Sequence, residues 1–179
     1  ELGLSELAYH FIGGLLKHAT SITAVTNPVV NSYKRINAPQ TTSGATWSPN
    51  TVTYSGNNRT HMIRIPDNDR IEVRLADGAA NPYLLQAALI GTGLWGIENK
   101  TSPGKRLDID MYAEGHKIRN APKLPLNLMD ALRNFDRNKI LRGILGESFS
   151  DSYYKLKMNE WNQYMQHFSE WERLNALDV

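Results

Sequence analysis

The sequence predicts an α+β fold, with an antiparallel sheet layer packed by helices and a helical C-terminal region. Three observations predict it. Strand-like runs cluster between Thr51 and Leu75. The last two of these runs are separated by Pro66-Asp-Asn-Asp69, turn chemistry that folds them into an antiparallel hairpin. Apolar residues at three- and four-residue spacing flank the cluster on both sides and read as helices.

The elements follow in order. Residues 5–18 read as a helix, with Ser5 as cap and Leu7, Phe11, Ile12 and Leu15 at helical spacing. Gly13-Gly14 in its middle costs about 1 kcal/mol against alanine and is tolerated where another backbone must come close. A second short helix is expected over 20–26, ended by Asn27-Pro28, because a residue before proline resists the α region. Residues 37–49 are rich in Pro, Ser, Thr, Gly and Asn and read as a loop. Strands are expected at 51–54, 61–65 and 70–75, with 66–69 as a four-residue hairpin loop. Asn81 caps and Pro82 opens a helix over 82–97, and Gly91, Gly93 and Gly96 thin one side of it for close packing. Residues 99–117 read as a loop. Helices are expected at 126–135, 137–145 and 151–176. In the last, Tyr154, Met158, Trp161, Met165, Phe168 and Trp171 recur three or four apart and read as a buried stripe.

Composition bounds the function. The 179 residues suit one unit over 1–179, a single domain or part of a larger one. A hydrophobic fraction of 41% supplies a core, and 21% charged residues argues against disorder or a coiled coil. The net charge of +2 is too small for general binding to nucleic acid or acidic membranes. There is no cysteine, which excludes disulfides and thiolate metal sites and suits a cytoplasmic location. No apolar run is long enough for a transmembrane helix. The chain opens inside an apparent helix without a starting methionine, so a piece of something longer is expected.

The chemistry concentrates on "RIEVRL". Strand alternation puts Arg70, Glu72 and Arg74 on one face and Ile71, Val73 and Leu75 on the other. A hairpin brings Arg64 beside that face, and Arg59 sits just upstream in "NNRTHMIRIP". Four arginines would then converge on one glutamate. Like charges at that density are costly unless an anion is bound, and arginine suits the paired oxygens of phosphate and carboxylate. The plainer reading is a salt-bridge ladder on a solvated sheet face. A second group, Asn31, Ser32, Tyr33, Lys34 and Arg35, crowds donors into five residues. It reads either as a turn with a basic end or as a place from which Arg35 reaches an anionic substrate group. His10, His18, His61, His116 and His167 lack the spacing of a metal motif and read as structural or exposed. The arginine strand has no interleaved aromatics, which argues against RNA binding.

The blocks "GGLLKHA", "TNPVVNSYKRI", "NNRTHMIRIP" and "RIEVRLADGAANPYLLQAALIGTGLWGI", with the late "EW" and "WE" pairs, resemble the C-terminal half of the glutamine synthetase catalytic domain. The resemblance implies an ATP-dependent ligase that phosphorylates the side chain of glutamate and lets ammonia or a small amine attack the γ-glutamyl phosphate. It implies Mg²⁺ or Mn²⁺ and a homo-oligomer. By motif, Glu72 looks like a metal ligand, Arg35 and Arg74 like glutamate-binding residues, Arg59 and Arg64 like the catalytic pair on the transferring phosphate, and Arg70 like a further ATP contact. Two departures stand out. The family's flap glutamate after "NSYKRL" has no counterpart, since no acidic residue lies between Arg35 and Asp67. That is similar to the γ-glutamylmethylamide synthetase and GlnT-like branch. The family's N-terminal domain and other metal carboxylates are also missing, so the chain alone is expected not to catalyse synthesis. The alternative is a non-catalytic anion-binding or assembly module that uses the same arginine face.

Overall fold

The computed structural model describes residues 2–38 and 48–176. The middle of the loop expected over 37–49, where the family's flap would fall, lies outside the described residues. The first helix, α1, spans Glu6–Thr26 and is capped by the Ser5 side chain, which accepts from the Ala8 N–H. It is one helix, where a break after residue 18 is expected. The Thr23 hydroxyl donates back to the Ala19 carbonyl within the helix, and Ser21 donates to the Asn134 carbonyl. Helix α2, Ser32–Ile36, is a single turn and a half where a turn or basic end is expected. Buried Tyr33 and Ile36 anchor it.

Three short strands follow: β1 (Tyr54–Ser55), β2 (Ile63–Asp67) and β3 (Arg70–Val73). They form one sheet in the order β1-β2-β3. The expected antiparallel pairing joins β2 to β3, with Ile63 opposite Val73, Arg64 opposite Glu72 and Asp67 opposite Arg70. β1 adds on parallel to β2. The strand expected at 51–54 is displaced: Thr51 makes an isolated bridge to Lys123, and regular pairing begins only at Tyr54. The hairpin loop is also tighter than the four residues expected, because Pro66 and Asp67 belong to β2 and only Asn68-Asp69 turn. Between Arg64 and Asp67 the register shifts. Pro66 has no N–H to give the ladder, so the irregularity falls where nothing is lost.

Helix α3, Pro82–Glu98, starts as its sequence demands: Asn81 accepts from the Tyr83 and Leu84 N–H groups, and Pro82 opens the first turn. It crosses α1 at backbone contact. A Cβ on Gly14 would meet the Thr92 carbonyl at 2.1 Å, and one on Gly96 would meet the His10 carbonyl at 2.3 Å. This explains Gly14 and Gly96. The stretch expected as loop over 99–117 contains α4 (Met111–Glu114), capped by Asp110, and a 3₁₀ turn at Gly115–Lys117. Helices α5 (Leu128–Arg137) and α6 (Lys139–Leu145) are capped by Asn127 and Asn138. The long helix expected over 151–176 is two, α7 (Glu147–Met165) and α8 (Glu170–Asn175). Ser169 and Glu172 form a capping box that starts α8 and ends the run. The buried stripe is corrected with it. Tyr154, Met158 and Trp161 pack on the core, but Met165 is 61% exposed, Phe168 64% and Trp171 69%. One hydrophobic cluster runs from α1 and α5 to the inner face of the sheet, through Ile12, Ile22, Met62, Ile63, Leu75, Leu132 and Phe135. No described helix is long and apolar enough to cross a membrane.

Two buried histidines give the fold a pH dependence. His18 stacks edge-on against Trp95 and meets the Asn138 amide, with Nε2 buried and unpartnered. His61 sits between the Thr53 hydroxyl and the Ile109 carbonyl. Burial holds both below the ordinary value of 6.5; Lys17 adds to this at His18, and the Ile109 carbonyl with Asp108 and Asp110 opposes it at His61. A lowered histidine binds fewer protons folded than unfolded, so stability is full above about pH 6.5 and is lost as pH falls below it. Urea unfolding at pH 7.5 and 5.5 should therefore show a lower midpoint at pH 5.5, and His18→Gln should flatten that difference.

Candidate functional site at the arginine cluster

The β2–β3 register builds the site. Arg64 and Glu72 face each other across the ladder, and Arg74 follows Glu72 by two on the same face. Arg64 Nη1 donates to Glu72 Oε2 at 2.8 Å, and Arg74 Nε lies 3.1 Å from Glu72 Oε1. One carboxylate thus holds two guanidinium groups. The set is half-buried, with side-chain exposures of 12% for Arg64, 23% for Arg74 and 39% for Glu72. Burial pushes the Arg74 guanidinium below its ordinary value. Glu72 opposes this, and the positive charges of Arg35, Arg64 and Arg59 add to it. Four arginines therefore share one neighbourhood. Arg74 Nη1 is buried there without a hydrogen-bond partner, and a buried donor left unpaired costs about 1–3 kcal/mol.

The remaining predicted residues take different places. Arg35 reaches from α2 and caps the segment after β3: Nη1 donates to the Leu75 and Ala76 carbonyls and Nη2 to the Arg74 carbonyl. Its Nε–H and one Nη2–H remain outside these bonds. Beside it lies an open depression of about 270 Å³ lined by Val29, Asn31, Ser32, Arg35, Asp77 and the backbone around Gly78. Arg59 is exposed on the loop before β2. Arg70 is exposed too and pairs with Asp67 at the hairpin end, at 3.0 Å.

Several residues with a part in this geometry carry no motif. Asn27, fully buried at the end of α1, donates to the Leu75 carbonyl and to Asp77. Asp77 in turn caps Ala79, and its own N–H donates to the Thr26 carbonyl. Together with Arg35 they fix residues 74–77 from below. Asn57 accepts two bonds from Arg64. The Asn58 amide donates to the Ile109 carbonyl, and the Met111 N–H donates to the Thr60 hydroxyl. These bonds tie the loop carrying Arg59 to residues 109–111. Asn27-Pro28 is readable as a helix stop, but its long-range partners leave no local signal.

Glu72 is the acid in reach of the cluster, and its two oxygens are taken by arginines. No group of three or more His, Asp or Glu side chains suited to a metal gathers among the described residues. Mg²⁺ demands a near-octahedral set of oxygens. One carboxylate between two guanidinium groups does not fit the ion by itself. What this arrangement does fit is a multiply charged anion laid against Arg64 and Arg74.

Residues 1–176 match the family model described as glutamine synthetase, catalytic domain. A glutamine synthetase of Rhizobium meliloti (strain 1021) is 60% identical over the whole chain, which covers 41% of that relative. A glutamate–methylamine ligase of Methyloversatilis universalis is 42% identical over 96% of the chain and 39% of its own length. Among solved structures, a GmaS/ADP complex superposes with a TM-score of 0.93 at 59% identity, over 100% of this chain and 41% of that one. GmaS without ligand superposes with a TM-score of 0.91 at 55% identity, over 100% and 40%. The chain thus spans about two fifths of the length of the relatives it matches.

Proposed function

The chain belongs to the glutamine synthetase catalytic-domain family, and on that premise we propose that it is the phosphate- and glutamate-binding part of an ATP-dependent glutamate–amine ligase. The observation that carries this reading is the clasp of Glu72 by Arg64 and Arg74, with Arg35 and Arg59 close enough to repel Arg74 and with Arg74 Nη1 unpaired. In the proposed reaction the glutamate side-chain carboxylate attacks the terminal phosphorus of ATP and ADP leaves. An amine, ammonia or methylamine, then displaces phosphate from the acyl phosphate. Phosphoryl transfer of this kind rests on positioning and charge neutralisation. Arg59 and Arg64 supply the positive charge at the transferring group. Arg74 and the remaining donors of Arg35 hold the amino-acid substrate, and Arg70 contacts ATP once released from Asp67. Glu72 is proposed as one ligand of a Mg²⁺ or Mn²⁺ set completed from outside the described residues. A cytoplasmic location goes with this metabolic role.

A chimera tests the reading. In it, this chain replaces the matching C-terminal segment of the Rhizobium meliloti relative. With ATP, glutamate and hydroxylamine it is expected to form γ-glutamyl hydroxamate, whereas the 179-residue chain alone forms none. A folded chimera without product would overturn the ligase assignment. Supplying methylamine and ammonia in competition then names the acceptor.

A homo-oligomer is proposed as well, supported by the exposed apolar residues Leu156, Met165, Phe168, Trp171 and Leu174 on α7, α8 and the link between them. Light scattering should report an assembled chain, and the pair Phe168→Ser and Trp171→Ser should shift it toward monomer. An unchanged mass would remove this surface from the interface.

A second reading has its own observation. Because both oxygens of Glu72 are occupied by arginines, the chain by itself suits an anion-binding module that needs no metal. Metal-independent nucleotide binding by the chimera, with no product, would favour it.

A further inference from the structure

The geometry points to Asn57 as a positioning residue, one that aims the Arg64 guanidinium at an anion while leaving its charge intact. This inference rests on the arginine cluster being the anion site proposed above. Asn57 Oδ1 accepts from Arg64 Nε at 2.9 Å and from Nη2 at 2.5 Å, while Nη1 donates to Glu72. The guanidinium is a rigid plane with donors along two edges. Two bonds along its Nε–Nη2 edge to one oxygen and a third at Nη1 hold the plane from two points and fix its position. One N–H on Nη1 and one on Nη2 lie outside these bonds and are the donors left for an anion.

The choice of an amide matters electrostatically. Arg64 and Arg74 share the single negative charge of Glu72, so the group carries a net positive charge. An aspartate at position 57 would hold Arg64 at least as firmly but would bring that net charge to zero. A neutral acceptor holds the arginine without competing with an incoming anion. The loop supporting Asn57 is itself braced on both sides. The Gly56 carbonyl accepts from the Ile65 N–H of β2, and the Asn58 side chain donates to the Ile109 carbonyl. Asn57 therefore sits on fixed backbone, the condition for a side chain to position another.

The plain alternative is an exposed side chain making an ordinary surface bond to arginine. The two differ on Asn57→Asp. A structural contact is preserved or strengthened by aspartate, whereas a charge-sparing positioning role is damaged by it. Two measurements on the chain separate them, with melting curves to confirm that each variant folds. The first is the solvent-exchange rate of the Arg64 Nε–H in ¹⁵N-arginine NMR spectra. It should be slow in the parent and in Asn57→Asp, and faster in Asn57→Ala. The second is titration with inorganic pyrophosphate without metal. Affinity is expected to fall about threefold in Asn57→Ala and about tenfold in Asn57→Asp, with the latter loss shrinking in high salt. An Arg64 Nε–H that exchanges equally fast in the parent and in Asn57→Ala overturns the proposal. Parent-like pyrophosphate binding by Asn57→Asp overturns it as well, and leaves the anion site standing. A parent chain that binds no pyrophosphate while its Arg64 Nε–H is protected overturns the anion reading, and this inference falls with it.

Discussion

Replacing Glu72 by glutamine tightens the binding of metal-free pyrophosphate to the chain by about tenfold and removes any gain that Mn²⁺ brings. The sign follows from the clasp. Glu72 is the acid that both Arg64 and Arg74 face, and both of its oxygens are engaged. An anion approaching these arginines meets that carboxylate as a like charge. Two unit charges about 4 Å apart repel by about 1 kcal/mol in bulk water and by about 4 kcal/mol near a protein surface. The half-buried patch lies between these limits, and about 1.4 kcal/mol is a factor of ten. The same substitution removes the charge, keeps one acceptor oxygen and turns an amide NH₂ toward the other partly buried guanidinium, which costs about 1–3 kcal/mol of stability. Tighter binding in a less stable protein is an unusual pair of results. A general loss of structure would weaken both. Calorimetric titration together with urea unfolding checks it, and weaker pyrophosphate binding in Glu72→Gln would show that the carboxylate supports the anion rather than opposing it.

The hairpin that carries this clasp was legible because turn chemistry is a local property. Pro66-Asp-Asn-Asp69 marks a turn and so the hairpin. The partner of Arg64 was not legible: a four-residue loop would set it opposite Ile71, and the register shift between Arg64 and Asp67 sets it opposite Glu72. The start of α3 was legible for the same reason, since Asn81 and Pro82 satisfy the first turn with their own atoms. What failed to read depended on distance or on exposure. The period of Met165, Phe168 and Trp171 identifies a face but not what covers it, so a stripe on the surface looks the same as one in the core. The Ser169–Glu172 capping box was present in the sequence, but continuing apolar spacing masked it. α2 is too short to show a period. The grip of Asn57 on Arg64 and the latch of Asn27 onto Leu75 and Asp77 join side chains whose partners no spacing rule names.

Substituting methionine for Arg35 should cost about 3 kcal/mol or more of stability, and anion affinity should fall with it. By its motif Arg35 is a substrate ligand. In the fold it is first a brace, with three N–H groups on the carbonyls of Arg74, Leu75 and Ala76. Bonds from a charged donor contribute about 1.5–3 kcal/mol each, and three on one side chain add less than their sum. Methionine keeps much of the side chain's length and apolar stem but takes the guanidinium bonds from the Arg74 and Ala76 carbonyls and leaves the Leu75 carbonyl to Asn27 alone. Asn27 still holds Leu75 and Asp77 from below, so the segment loosens above that point, at Arg74. Lysine is the informative companion. Its ammonium restores the charge but not the planar fork that spans three carbonyls. If Arg35 acts mainly on substrate charge, Arg35→Lys recovers pyrophosphate and glutamate binding with little loss of stability. If the brace dominates, Arg35→Lys remains unstable, and the Arg74 Nε–H exchanges faster in both variants. The geometry favours the second outcome, because the carbonyls engage more of the Arg35 donors than remain for a ligand.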